Sequence, residues 1–311
     1  MPLLSVEAAK LSNNHLISGV IDEIIDRDDL FSILPFRQTN GKAYVYNREN
    51  TMGTADWLDP NDSVNESAAT FTEVVAKLRI LAGDVDIDKF IMATMGDTND
   101  QVAIQIAKKA KAVARMFHQT LATGDSSVNP KQFDGLPVLA TAAQAYAATV
   151  GGKQEVIAGT NGNALTLSML DELCDAVPNG ADVIVMRRGT IRAFRSLLRA
   201  TYGTDAVMQQ LENFGRPMLT HNGIPVIMNE FLSGAETQGT STSNTASVYA
   251  LRMNEQDGLF GLYGGDNAGL DVENIGTVQS RDAVRYRVKW YAGCAIGSTR
   301  SIARLRGVTN I

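Results

Sequence analysis

The stretch RENTMGTADWLDPNDSVNESAAT, Arg48 to Thr70, constrains this chain most. It is long and polar, and it separates two runs rich in β-forming residues. The first, KAYVYN, spans Lys42 to Asn47 with Tyr44 and Tyr46 on one face; the second, FTEVVAKLRIL, spans Phe71 to Leu81. Structureless loops longer than about 12–15 residues are uncommon inside a compact domain and are usually functional or disordered. This one also carries Trp57.

Composition narrows the classes. With 311 residues and 44% hydrophobic content the chain can form one large core or two smaller ones. Lys plus Arg is 28 against 34 for Asp plus Glu, a formal charge of −6, which argues against a protein whose main task is coating nucleic acid. The start, MPLLSVEAAK, lacks the pattern of a secretory signal, and no run approaches the roughly 20 apolar residues of a membrane span, so the chain reads as cytoplasmic. Cys174 and Cys294 sit in apolar surroundings and read as buried free thiols. His15, His118 and His221 have no metal-ligand spacing, so neither a metal nor a cofactor is expected.

Along the chain, residues 1 to about 40 combine an amphipathic helix from Asn14 to Asp26 (Leu16, Val20, Ile21, Ile24, Ile25) with extended, Pro-containing segments. GDTND, Gly96 to Asp100, opens the clearest helix, with Thr98 as its expected N-cap. Val102, Ile106, Ala110, Val113, Phe117 and Leu121 form its apolar stripe, and Lys108, Lys111 and Arg115 lie roughly opposite. GDSSVNPKQFDGLP, Gly124 to Pro137, ends it with turn chemistry.

From Leu165 helices and strands alternate. LTLSMLDELCDAV reads as helix, ADVIVM as buried strand, and TIRAFRSLLRATYG as a helix closed by Gly203. GIPVIMNEF and ASVYALRM read as strands, with SGAETQGTSTSNT (Ser233 to Thr245) between them as a mobile, exposed loop. Near the end Val284, Tyr286, Val288 and Trp290 alternate with Arg285, Arg287 and Lys289, a half-buried strand with a solvated or subunit-contacting basic face.

Motifs for catalysis are missing. Arg187, Arg188 and Gly189 mark a strand-to-helix turn that could hold an anion, without the dinucleotide or Walker glycine pattern. GGDNAGLDVEN, Gly264 to Asn274, lacks EF-hand spacing and reads as a turn. No GxSxG or HExxH is present.

The order of these parts resembles the major capsid proteins of tailed bacteriophages with the Hong Kong 97-like fold. GDSSVNPKQFDGL, VIVMRRGTIRAFRSLLRATYG followed by FGRPMLTHNGIPVIMNEFL, and VRYRVKWYAGCAI carry the resemblance, by order and spacing rather than as a rigid signature. It implies an α+β fold with an N-terminal arm (1–40), an extended β-hairpin loop (41–82), a peripheral domain with a long spine helix (83–150), an axial α/β domain (151–277) and a return strand to the peripheral domain (278–311). The implied function is structural: self-assembly, as pentamers and hexamers, into an icosahedral shell around double-stranded DNA, with no catalysis. Implied partners are further copies of the chain, a separate scaffolding protein, a portal and a decoration protein. DNA is packaged without sequence-specific binding, and the shell is assembled in the host cytoplasm as part of the virion. The start at Met1 favours scaffolding supplied by another protein.

On this resemblance Arg48 to Thr70 is the tip of a loop that reaches over a neighbouring subunit. Trp57 with Leu58 either anchors there or folds back on its own subunit. Asp56, Asp59, Asp62 and Glu66 supply negative charge, and Lys108, Lys111 and Arg115 of the spine, or Arg192, Arg195 and Arg199 of the axial helix, offer cationic faces. Some relatives lock their shells by joining a loop lysine to an asparagine; no lysine lies between Lys42 and Lys77, so a non-covalent shell is expected. Two rivals remain: an encapsulin-like shell around enzyme cargo, and a cytosolic α/β enzyme with a site at Arg187 and Arg188.

Overall fold

Two apolar runs, VIVM and ASVYAL, organise the fold, and their continuity has a structural cause. In the computed structural model Val183 and Val185 face one core while Ile184 and Met186 face another; Tyr249 and Leu251 likewise oppose Val248 and Ala250. Both strands are therefore buried on both faces, which removes the alternation of a half-exposed strand. The structure describes residues 28–94, 100–149, 151–202, 208–210, 217–240, 244–265 and 269–311. The expected arm helix, His15, the expected cap Thr98 and Gly203 lie outside them.

In chain order the elements are β1 (Phe36–Gln38), β2 (Ala43–Thr51), β3 (Thr70–Lys77), β4 (Arg79–Asp88), α1 (Lys89–Thr94), α2 (Gln101–Thr123), α3 (Leu136–Thr149) and β5 (Glu155–Ile157). Then follow α4 (Leu167–Asp175), β6 (Val183–Met186), α5 (Arg188–Tyr202), β7 (Met208–Gln210), β8 (Pro217–His221), β9 (Ile224–Met228) and β10 (Ala246–Leu251). The chain ends with β11 (Leu259–Tyr263), β12 (Asp271–Thr277), β13 (Ala283–Ile296) and β14 (Ile302–Val308).

A seven-stranded sheet runs β5-β14-β10-β6-β9-β8-β7, and a five-stranded sheet runs β1-β11-β13-β12 with β4 also on β13. Strands β2 and β3 pair only with each other. Sheet membership departs from the expected boundary at 277. β11 and β12 belong with β13 in the five-stranded sheet, and β14 crosses into the seven-stranded one. The run Phe71 to Leu81 is likewise two strands in two sheets, broken at Leu78, whose N–H donates to the Lys42 carbonyl.

Helix α2 has Asp100 as its N-cap, whose carboxylate accepts from the N–H groups of Val102 and Ala103. At 23 residues it is about 35 Å long. It crosses β13 where the Phe117 and Trp290 rings pack at a tilt of 43°, centroids 4.5 Å apart, in a cluster with Phe31 and Phe36. The turn after it begins and ends on glycine for a steric reason. A Cβ on Gly124 or on Gly135 would come within 2.4 or 2.5 Å of the Thr120 carbonyl oxygen. Helix α3, which the sequence reading passed over, is Ala-rich on every side and so shows no apolar stripe.

Candidate functional site

The extended hairpin is built by a period-two pattern. Tyr44, Tyr46 and Arg48 share one face of β2 and turn toward the body, while Val45, Asn47 and Glu49 face solvent. At its root Tyr44, Ala76 and Leu78 pack on Phe260, Leu262 and Ala295. Further out, side chains rather than sheet pairing hold it. Tyr46 Oη and Arg48 Nη2 donate to the Ile296 carbonyl, Arg48 Nε donates to that of Gly297, and Tyr146 Oη of α3 donates to Glu49 O at 2.7 Å. A cavity of about 330 Å³ lies beneath this latch, between the hairpin, α3 and β13.

Beyond Thr51 every residue to Thr70 is exposed. The polar stretch is nevertheless ordered by its own chemistry. Asp59-Pro60-Asn61-Asp62 closes the tip, with the Asp62 N–H donating to Asp59 O at 3.0 Å, proline second and Asn61 at φ 81°, the type II pattern. Ser67 Oγ bridges to Thr54, and Thr51 and Thr70 hydroxyls meet at 2.6 Å. Trp57 does not fold back: it is 103% exposed, beside Leu58 at 45%.

Within one chain the structure does not bring the tip carboxylates to the candidate cations. Asp56, Asp59, Asp62 and Glu66 have no ion pair among the described residues. On α2, Lys108 and Lys111 are half-buried, and exposed Arg115 lies over the Phe231 ring at 5.8 Å. On α5, Arg192, Arg195 and Arg199 form an exposed row, with Arg192 donating to Ile311 O.

The basic face of β13 is neither bare nor simply solvated. Arg285 makes a bidentate pair with Asp86 (2.6 and 2.7 Å), Arg287 one with Asp84 (2.7 and 2.8 Å), and Lys289 reaches Glu273 at 2.8 Å. The two arginine pairs are cross-strand neighbours in register with β4, whereas Lys289 reaches diagonally past its register partner Asp271 to Glu273 on β12, and the hydrogen bonds from the cations hold all three carboxylates below their usual range. Asp271 and Glu273 are thus strand residues, not a turn. In the loop from Ser233, half-buried Glu236 is held in place: its Oε2 accepts from Nη2 of buried Arg304 at 3.0 Å and from Ser247. At the strand-to-helix turn that could hold an anion, Arg187 donates to Leu232 O and exposed Arg188 pairs with Glu230 at 3.3 Å, so both guanidinium groups already have partners within the chain. Burial raises the Cys174 thiol to about 11 and Cys294 to about 12. His118 contacts Asp28 and His221 contacts Asp171. Among the described residues no cluster could hold a metal ion, and no helix is long and apolar enough to cross a membrane.

A family model described as the phage capsid family matches residues 9–305. This chain belongs to the phage capsid family. It is a structural shell protein of phage type with the Hong Kong 97-like fold, α+β, and solved capsid structures bear the fold out. The holo-SrpI encapsulin complex of Synechococcus elongatus PCC 7942 matches with TM-score 0.70 at 20% identity, covering 99% of this chain and 97% of that one. The capsid of an empty GTA particle matches with TM-score 0.67 at 16% identity over 95% and 94%. Microbacterium phage Oxtober96 matches with 0.64 at 12% identity over 97% and 98%. No curated protein matches the sequence. In this capsid-family protein the latched hairpin carries an unbroken run of exposed residues from Thr51 to Thr70, and its tip is the candidate site.

Proposed function

We propose that the chain assembles, as pentamers and hexamers, into an icosahedral shell that encloses double-stranded DNA. One observation supports this beyond family membership. A ribbon of exposed residues carries a fully exposed large aromatic near its tip, and leaving Trp57 in water is unfavourable unless a partner covers it. The peripheral and axial units correspond to the five- and seven-stranded sheets, and scaffolding comes from a separate protein. A portal and a decoration protein complete the virion.

Particle mass by light scattering and shape by negative-stain microscopy, for the chain alone and with its genomic neighbours, test the reading. Closed shells are expected. Trp57→Ala is expected to leave the subunit folded by circular dichroism while lowering particle yield severalfold; unchanged yield would remove Trp57 from the interface. The encapsulin match favours a second reading, a shell around protein cargo. Nuclease-protected DNA inside particles from the native host supports the first, and a co-purifying enzyme without DNA supports the second.

A further inference from the structure

The hairpin is segregated in charge along its length. Between Arg48 and Lys77 it carries Glu49, Asp56, Asp59, Asp62, Glu66 and Glu73 and no cation. Its root carries Lys42 and Lys77, both exposed, and neither meets a carboxylate among the described residues. Beside that root lies an open groove of about 770 Å³. Its apolar wall is Leu78, Ile80 and Tyr291, and its cations are Lys42, Lys77 and Arg79. Ile80 is 74% and Tyr291 39% exposed, so the wall stands in water in the isolated chain. A charged rim around exposed apolar surface marks an interaction site.

The tip has the complementary arrangement. Trp57 and Leu58 lie between Asp56 and Asp59, an apolar pair flanked by carboxylates, where the groove offers apolar side chains flanked by cations. A hairpin cannot satisfy its own groove. Strand β3 alone, Thr70 to Lys77 at about 3.3 Å per residue, carries the ribbon roughly 23 Å from the root before the exposed stretch that holds the tip begins. The occupant must come from a second copy. Neither cation row on the helices offers the same seat. Among the described side chains of α5 none is a large exposed apolar one, and among those of α2 only Met116 is.

We propose that the hairpin tip of one copy docks in the root groove of the next, with Trp57 and Leu58 against Leu78, Ile80 and Tyr291, and Asp56 and Asp59 facing Lys42 and Lys77. This rests on the capsid reading and names the surface its hairpin meets. Because tip and groove are different surfaces, the contact is head-to-tail, the kind that closes into rings when the rotation per copy permits.

Two experiments on the full-length chain test it. The double variant Leu58→Cys, Ile80→Cys is oxidised after assembly and run on a non-reducing gel; the native thiols, with pKa near 11 and 12, react little. A ladder of multimers is expected from the double variant and from neither single one. In the charge swap, Lys42→Glu with Lys77→Glu is expected to slow assembly by about tenfold or more, and adding Asp56→Lys with Asp59→Lys to restore it. Asp62 is left unchanged because its carboxylate accepts from the Asp59 N–H in the turn. Shells that form from the double-cysteine chain yet give only monomer on the gel overturn the docking, as does a swap that fails to rescue variants shown to be folded. A parent chain that forms no particles under any condition overturns the capsid reading instead.

Discussion

Asp86 and Arg285 show how much of this protein is decided by pairs of side chains rather than by the residues singly. The guanidinium presents two N–H groups to two carboxylate oxygens, and the Asp86 side chain is 12% exposed, so the pair is shielded from water better than most surface ion pairs. Asp84 and Arg287 repeat the arrangement on the next rung of the same face. Both carboxylates have native pKa values below the unfolded value of about 3.9, so the stability they contribute is complete above that pH and is lost as pH falls through the native values. Asp86→Asn is expected to lower stability by about 1 kcal/mol at neutral pH. Combined with Asp84→Asn it should flatten the fall in Tm below about pH 4. Thermal melts from pH 7 to 3 check this, and a double variant that keeps the parent's acid limb would show that other carboxylates govern it.

Among the elements, the hairpin is held by little packing. A small core fixes its root at Tyr44 and Leu78, a cavity lies under its middle, and Tyr46, Arg48 and Tyr146 tie it down by hydrogen bonds alone. Tyr146→Phe with Arg48→Met should therefore leave the melting temperature nearly unchanged while letting the ribbon swing. Nitroxides attached through Ser63→Cys and Val128→Cys, both exposed, should give a visibly broader distance distribution in that variant. An unchanged distribution would show that the root core alone sets the angle. The sequence made the ribbon legible through its two β-rich flanks, and α2 through its apolar stripe, because period two and period 3.6 are local signals. It did not reveal α3, where alanine on every face erases periodicity, nor the carboxylate partners of β13. Asp84 and Asp86 lie about 200 positions from Arg287 and Arg285, and only sheet register brings them opposite. The groove at Lys42, Lys77 and Tyr291 was hidden for the same reason: four separate segments, around Lys42, Lys77, Gly264 and Tyr291, form it.

For the whole molecule the question is what holds one copy to the next. The lysine–asparagine lock of some relatives needs an amine on the loop, and from Glu49 to Ala76 the hairpin has none. Its lysines stand at the root, on either side of the groove proposed to receive a carboxylate-flanked tip, where an ammonium serves as an ion-pair partner rather than a nucleophile. In the proposed shell, cohesion comes from area: many contacts of modest strength, summed over a lattice in which each subunit engages several neighbours at once. Such a shell should be stable as a particle yet come apart completely when its subunits unfold. Mature particles boiled in detergent and reductant are therefore expected to give one band at the chain mass of 33.5 kDa. A ladder surviving reduction would mean that a lysine outside the hairpin performs covalent chemistry, and would shift the search for the intersubunit lock from the tip to the body of the subunit.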